Sequence, residues 1–172
     1  RMNTTHVLSV LVENHAGVLS RVTGLFSRRM YNIDSLSVGE TEDPNISRTT
    51  IVVQADDDTL NQIKNQLAKL VDVIEITELH KDNAVLREHV LVKVSAKDQA
   101  GVMQICDIFR AKIVDISLEY MTAELTGAPS KISAFISLME QYEVKDLVTF
   151  SQAVEFERTV DYGKGLSFYH SL

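Results

Sequence analysis

The chain has 172 residues, of which 45% are hydrophobic, and its 17 basic and 24 acidic side chains give a formal charge of −7. The acidic balance argues against a nucleic-acid-binding protein, and the lack of a run of about 18 apolar residues argues against a membrane span. A single cysteine, Cys106, excludes an internal disulfide and a cysteine-based zinc site, so we expect a cytoplasmic protein.

The first 80 residues carry the patterns of four strands and two helices. A β-branched run over residues 7–12 predicts a strand that ends in a turn around Asn14 and Gly17. From Val18 onward, apolar side chains recur at helical spacing, which predicts a helix over residues 18–30. Further strands are expected at residues 33–38, 48–54 and 73–79, with a second helix at 60–70. The order β-α-β-β-α-β is that of a ferredoxin-like domain.

The same order of elements recurs in the second half of the chain. After a polar linker at residues 80–85, strands are expected at 89–95, 113–118, 120–125 and near 144–150 or somewhat later, with helices that begin near Val102 and at Pro129. The triplet Ala16-Gly17-Val18 returns as Ala100-Gly101-Val102, 84 residues later. We therefore predict an α+β protein of two tandem ferredoxin-like domains, residues 1–80 and 81–172, with antiparallel sheets and helices on one face.

The first strand carries apolar side chains on both of its faces. Leu8, Val10 and Val12 lie on one face, and Val7 and Leu11 lie on the other. An antiparallel sheet with one solvated face shows a cleaner alternation of apolar and polar residues. The pattern predicts that a further element or partner covers the face away from the helices.

The loop between the first strand and the first helix has the chemistry of an amino-acid site. The N–H groups of the first helical turn, near Gly17, Val18 and Leu19, form a positive-ended site for a carboxylate. Asn14 adds an amide oxygen that accepts from an ammonium group and an amide nitrogen that donates to a carboxylate. Because a free α-amino acid carries both charges close together, the loop matches the part that all amino acids share.

An aliphatic side chain would extend from this loop onto Val18, Leu19 and Ile33. Each buried methylene contributes about 0.8 kcal/mol, so such a pocket separates valine from alanine by about tenfold. The alternative is that the turn only caps the helix.

The second copy serves as an internal comparison for the binding loop. It has Asp98 in place of Asn14 and Ile113 in place of Asn32. An added negative charge repels a carboxylate, so we expect only the first copy to bind an amino acid.

The residues around this loop resemble a known family. Residues 8–29, 31–36, 47–51 and 66–73 are similar to the small, regulatory subunit of acetolactate (acetohydroxyacid) synthase, whose N-terminal domain is an ACT domain. The resemblance is dense over residues 7–80 and continues more weakly through 87–88 and 109–115.

The resemblance implies a subunit without catalysis of its own. Members pair as homodimers through their ACT domains, bind valine or another branched-chain amino acid at that interface, and make a large catalytic subunit active and sensitive to feedback. Thiamine diphosphate, Mg²⁺ and FAD are then expected only on the catalytic subunit. The implied ligand contacts are Asn14, Ala16, Gly17, Val18 and Leu19 from one chain, with Asn32 and Ile33 from its neighbour.

Two other functions remain open at this point. One is a free-standing tandem ACT sensor that regulates another amino-acid enzyme or a transcription factor. The other is RNA binding on a ferredoxin-like sheet, which the acidic charge and the 6% aromatic content disfavour. The histidines have no metal-site spacing, so we predict neither a metal nor a catalytic residue. His15, in the loop, either tunes binding with pH or has no role.

Overall fold

Each half of the chain folds as a four-stranded antiparallel sheet with two helices packed on one of its faces. The computed structural model describes residues 4–80 and 84–155. The sheet orders, β2-β3-β1-β4 and β6-β7-β5-β8, are equivalent, and they confirm the prediction of two tandem ferredoxin-like domains. The elements of the first domain are β1 (Thr4–Glu13), α1 (Val18–Arg28), β2 (Ser35–Glu40), β3 (Ile46–Ala55), α2 (Asp57–Leu67) and β4 (Val73–Leu79). Those of the second are β5 (Ala84–Ser95), α3 (Gln99–Phe109), β6 (Lys112–Ile116), β7 (Tyr120–Gly127), α4 (Pro129–Met139) and β8 (Val144–Glu155).

The first core lies between the sheet and its two helices. Alternate β1 residues, Leu8 and Val10 among them, are fully buried, and the same cluster includes Phe26 from α1 and Ile63 from α2. Burying a side chain of this size contributes about 1.5–3 kcal/mol, so the period-2 pattern of β1 fixes which face receives the helices.

The second core repeats this arrangement with its own residues. Val90, Val92 and Val94 of β5 are fully buried in a cluster that includes Phe135 of α4. Cys106 is buried in the same cluster. Burial raises the pKa of the Cys106 thiol and holds it in the unreactive protonated form. None of the helices in the described ranges is long and apolar enough to cross a membrane.

The clearest difference from the sequence prediction is the length of β5 and β8. The expected linker at residues 80–85 already contains the start of β5 at Ala84, and β8 continues past residue 150 to Glu155. The two strands pair with each other beyond the end of β7, in a register that joins Ala84 to Glu155. Residues 156–172 of the predicted second domain lie outside the described residues.

The extended β5–β8 ribbon packs against the face of the first sheet that has no helices. Ala84 and Ala153 of the ribbon form a small buried cluster with Leu79. The hydroxyl of Ser37 in β2 donates to the backbone oxygen of Ser151 in β8 at 2.6 Å. The predicted cover of this face is thus supplied, in part, by the second domain of the same chain.

Candidate functional site

Helix α1 begins without a side-chain cap. Gly17 precedes the helix at φ 89°, a left-handed conformation that glycine adopts without strain, and no side chain caps this end. The Val18 N–H makes one long bond, of 3.4 Å, to the oxygen of His15. The positive end of α1 therefore faces outward at residues 17–19, where it can receive an anion.

In the second domain, the equivalent position at the start of α3 is occupied by the carboxylate of Asp98. Asp98 is the N-cap of α3, and its Oδ1 accepts from the Gly101 N–H at 3.0 Å. A β-carbon built on Gly101 would lie 2.3 Å from the other Asp98 oxygen, so this start is tightly closed. Of the two matching helix starts, that of α1 is the open one.

Asn14 is held in place by the turn between β2 and β3. Its backbone N–H donates to the oxygen of Asn45 at 2.7 Å, and its Nδ2 donates to the oxygen of Pro44 at 2.8 Å and to Glu40 Oε1 at 3.2 Å. These bonds occupy the amide nitrogen, so the expectation that it also donates to a carboxylate is wrong for this conformation. The role of the amide oxygen as an acceptor for an ammonium group stays a prediction.

Glu40 is a contributor that the sequence alone did not reveal. Its carboxylate accepts from the Asn14 side chain and adds negative charge beside the loop. It stands at the end of β2, 26 residues from Asn14, and only the strand pairing brings them together.

The apolar residues of the loop divide into buried and exposed members. Val18 is 3% exposed and packs in the first core, so the expectation that its side chain contacts a ligand is wrong, and only its backbone faces the open helix start. Leu19 is 44% exposed beside the loop. Ala16 is exposed, and Ile33 is half-buried against the edge of the core.

Asn32 and Ile33 lie in the connection between α1 and β2. Within its own chain, Asn32 donates from Nδ2 to Asp34 Oδ1 at 2.9 Å. Within the described ranges no hydrogen bond joins its side chain to residues 14–19, and its place in a neighbouring chain's site stays a prediction. The connection leads into β2, which is an edge strand of the sheet.

An ion-pair network anchors the loop to the start of β4. Arg21, one turn into α1, donates from Nε to Asp72 Oδ2 at 2.5 Å and from Nη2 to Oδ1 at 3.0 Å. Asp72 is 6% exposed on its side chain, and His15 Nε2 lies 3.2 Å from its Oδ1. Hydrogen bonding from Arg21 holds the pKa of the Asp72 carboxyl below its ordinary value. The bidentate pair fixes the orientation of the α1 start.

The same network brings together three potential metal ligands. Ligand atoms of Glu13, His15 and Asp72 lie within 4.8 Å of one another. Both oxygens of Asp72 already accept from Arg21, whose positive charge compensates the carboxylate. The geometry therefore has a structural explanation that requires no metal ion.

Loss of the Arg21 guanidinium is expected to move the acid unfolding of the protein to higher pH. The lowered pKa of Asp72 contributes stability that is complete above about pH 4, the ordinary value for aspartate, and is lost as the pH falls through the lowered value. Arg21→Ala removes the main cause of the lowered pKa, and the acid-unfolding midpoint measured by circular dichroism should rise. Arg29→Ala, an exposed arginine just past the end of the same helix, is the control, and equal midpoints in the two variants would contradict the assignment.

Comparisons with protein families match both halves of the chain. A model described as an AHAS small subunit-like ACT domain matches residues 8–75. A second model, described as the small subunit of acetolactate synthase, matches residues 87–149.

Individual relatives agree with the family models over most of the chain. An acetolactate synthase small subunit of Mycolicibacterium smegmatis is 48% identical over 145 residues, which cover 83% of this chain and 85% of the relative. A probable acetolactate synthase small subunit of Methanothermobacter thermautotrophicus is 45% identical over 146 residues, covering 83% and 87%. The crystal structure of an acetolactate synthase small subunit from Thermotoga maritima superposes with a TM-score of 0.80 at 41% identity, covering 90% of this chain and 98% of that one. The similarity extends through both domains.

Proposed function

The chain belongs to the acetolactate synthase small-subunit family, and on this premise we propose that it binds valine where two copies meet and thereby regulates a catalytic partner. The contrast between the two helix starts carries this proposal. The α1 start is open, whereas Asp98 closes the α3 start. Because one of the two matching helix starts is open and the other is occupied by a side chain of the protein, we expect one amino-acid site of this kind in each chain.

The open loop matches the charges of a free amino acid. The carboxylate accepts from the N–H groups at residues 17–19. The ammonium group donates to the amide oxygen of Asn14 and is attracted by Glu40. Leu19 takes part of the aliphatic side chain.

A second copy completes the site from the neighbouring edge strand. Val38, on the edge strand β2, is 45% exposed, and such an edge is suited to pairing with the same strand of another chain. Pairing of the two sheets would bring Asn32 and Ile33 of the partner subunit to the α1 loop. Because valine then touches both chains, it favours the paired state by its difference in affinity for the two states.

Membership of the small-subunit family implies a large catalytic subunit of acetolactate synthase. In this proposal, that large subunit is the partner whose activity is regulated. In this proposal thiamine diphosphate, Mg²⁺ and FAD reside on the catalytic subunit, and this chain supplies activation, feedback inhibition and no catalytic residue. The proposed location is the cytoplasm.

A reconstitution experiment tests the proposed partnership. The tagged full chain is expected to capture the separately purified catalytic subunit and to raise its acetolactate synthase activity. Valine should lower the activity of the complex and leave the activity of the catalytic subunit alone unchanged. If the catalytic subunit is neither captured nor activated, while valine still binds, the chain is a free-standing amino-acid sensor and the proposed partnership is wrong.

A further inference from the structure

The side chain of Arg21 lies beside the open start of α1. Its backbone N–H donates to the oxygen of Gly17 at 3.1 Å, which places Arg21 one turn into the helix. Because long side chains on a helix point back toward its N-terminus, the guanidinium returns over the first turn. A β-carbon built on Gly17 would lie 3.3 Å from Nη1 of Arg21. A cationic group is therefore present at the end of α1 where the N–H groups of residues 17–19 are open.

Only one edge of the Arg21 guanidinium is occupied within residues 4–80 and 84–155. Nε and Nη2, which form that edge, donate to the two oxygens of Asp72 at 2.5 and 3.0 Å. In the same ranges Nη1 makes no hydrogen bond, so its two N–H groups remain available to an acceptor. Asp72 is 6% exposed on its side chain and fixes the plane of the guanidinium. Because Nη1 is already held in place, less entropy is lost when it binds a ligand.

The second domain has no counterpart of this arginine. Helix α3, whose start is occupied by Asp98, contains no basic residue between Gln99 and Phe109. Gly101 corresponds to Gly17 in the repeated triplet, and the residue four positions after it is Ile105, which is 7% exposed in the second core. An arginine is thus present at the helix start that is open and absent at the one that the protein fills itself. This difference favours a role for the arginine toward an external carboxylate.

The two carboxylates nearest to this helix start already have partners. Asp72 accepts from Arg21, and Glu13 Oε2 lies 3.2 Å from Nε2 of His15. The helix start itself presents N–H donors at the positive end of α1. A hydrogen bond from a guanidinium to a carboxylate is about twice as strong as one between neutral groups. A ligand carboxylate would therefore gain a strong bond from Nη1 in addition to its bonds from the backbone.

We propose that Arg21 binds the ligand directly, and that its Nη1 donates to the carboxylate that also accepts from the N–H groups of residues 17–19. The inference rests on the proposed function and adds the class of ligand that the site accepts. A free carboxylate is required, so an amide of the same amino acid is rejected even though its ammonium group and side chain are unchanged. Asp72 is then a positioning residue, which holds the guanidinium against the loop.

Binding of two matched ligands to the full chain tests this role of Arg21. L-Valinamide has the ammonium group and the side chain of L-valine, and a neutral amide replaces its carboxylate. Isothermal titration should show a clear preference for L-valine in the unsubstituted chain. Arg21→Gln removes the charged donor, so the affinity for L-valine should fall at least about tenfold, while the affinity for L-valinamide should change little. A purely structural defect would weaken both ligands alike.

Two further variants separate contact with the ligand from support of the loop. Asp72→Asn weakens the anchor of the guanidinium and keeps the guanidinium itself, so the preference for L-valine over L-valinamide should remain. Equal loss of this preference in Asp72→Asn and Arg21→Gln would mean that Arg21 acts only through Asp72, which would overturn the proposal. Arg28→Gln, at an exposed arginine in the last turn of α1, removes the same charge about 10 Å further along the helix and should bind both ligands as the unsubstituted chain does.

The side-chain resonance of Arg21 gives a readout that needs no substitution. In NMR spectra of the isotope-labelled chain, the Nε–H resonance of Arg21 should shift when L-valine is added, and that of Arg28 should stay unchanged. An unchanged Arg21 resonance at saturating L-valine, or an undiminished preference for L-valine in Arg21→Gln, would overturn the contact and leave the proposed valine site standing. Absence of L-valine binding to the unsubstituted chain would overturn both proposals, so the two failures can be told apart.

Discussion

Gly17→Asp is expected to abolish valine binding while both domains remain folded. The substitution places a carboxylate at the open start of α1, where the ligand's own carboxylate would accept from residues 17–19. Two like charges about 4 Å apart near a protein surface repel by about 4 kcal/mol, which corresponds to a loss of affinity of more than about 100-fold. Isothermal titration with L-valine measures the effect.

Gly17→Asn is the matched control for that substitution. Asparagine has the size of aspartate, carries no charge and tolerates the left-handed conformation that Gly17 adopts at φ 89°. A β-carbon at this position would lie 3.3 Å from Nη1 of Arg21, whose guanidinium is held by Asp72, and the left-handed φ strains any side chain here, so the two variants share these costs and differ in charge. The asparagine variant should retain most of the affinity. Equal affinities in the two variants would show that no carboxylate binds at this helix start.

Val38→Lys is expected to separate the homodimer and to weaken valine binding with it. Val38 is an exposed residue on the edge strand β2, where the proposed pairing would bring two copies together. A lysine on an edge strand opposes strand pairing, because it places like charges in the seam and must be desolvated. Sedimentation over a dilution series should show monomers at concentrations where the unsubstituted chain is dimeric, and the affinity for valine should fall at least about tenfold because the site loses its second half.

The opposite edge of the same sheet offers a control for Val38→Lys. Ile74, on β4, is 53% exposed and is also β-branched. Ile74→Lys adds the same charge to the other edge and should leave both the dimer and valine binding intact. If Ile74→Lys separates the dimer and Val38→Lys does not, the copies pair through β4, and the assignment of Asn32 and Ile33 to the site is wrong.

The sequence predicted the fold well because its signals are local and repeated. Alternating apolar residues such as Leu8 and Val10 specify strands, and the shift to helical spacing after Gly17 marks α1. The early start of β5 at Ala84 was missed because polar neighbours such as Arg87 hide the strand pattern there. That segment gains its apolar contacts from the other domain, and no local pattern records them.

The candidate site was predicted only in part, for the same physical reason. The open helix start follows from a glycine beside a helix, which is a local feature. The contacts that orient the loop are not local, since Arg21 and Asp72 are 51 residues apart and Asn14 and Glu40 are 26 apart. Val18 was assigned to the ligand although its spacing to Val22 and Phe26 already places it on the buried face of α1.

An NMR titration of the isotope-labelled full chain with L-valine tests the central claim most directly. The claim is that a zwitterion binds the open helix start of the first domain and is closed in by the neighbouring chain. Amide resonances of residues 17–19 should shift together with those of residues 32–33, and the resonances of residues 99–102, where Asp98 fills the equivalent position, should stay unchanged. Unchanged resonances at residues 17–19 in the presence of saturating valine would contradict the account.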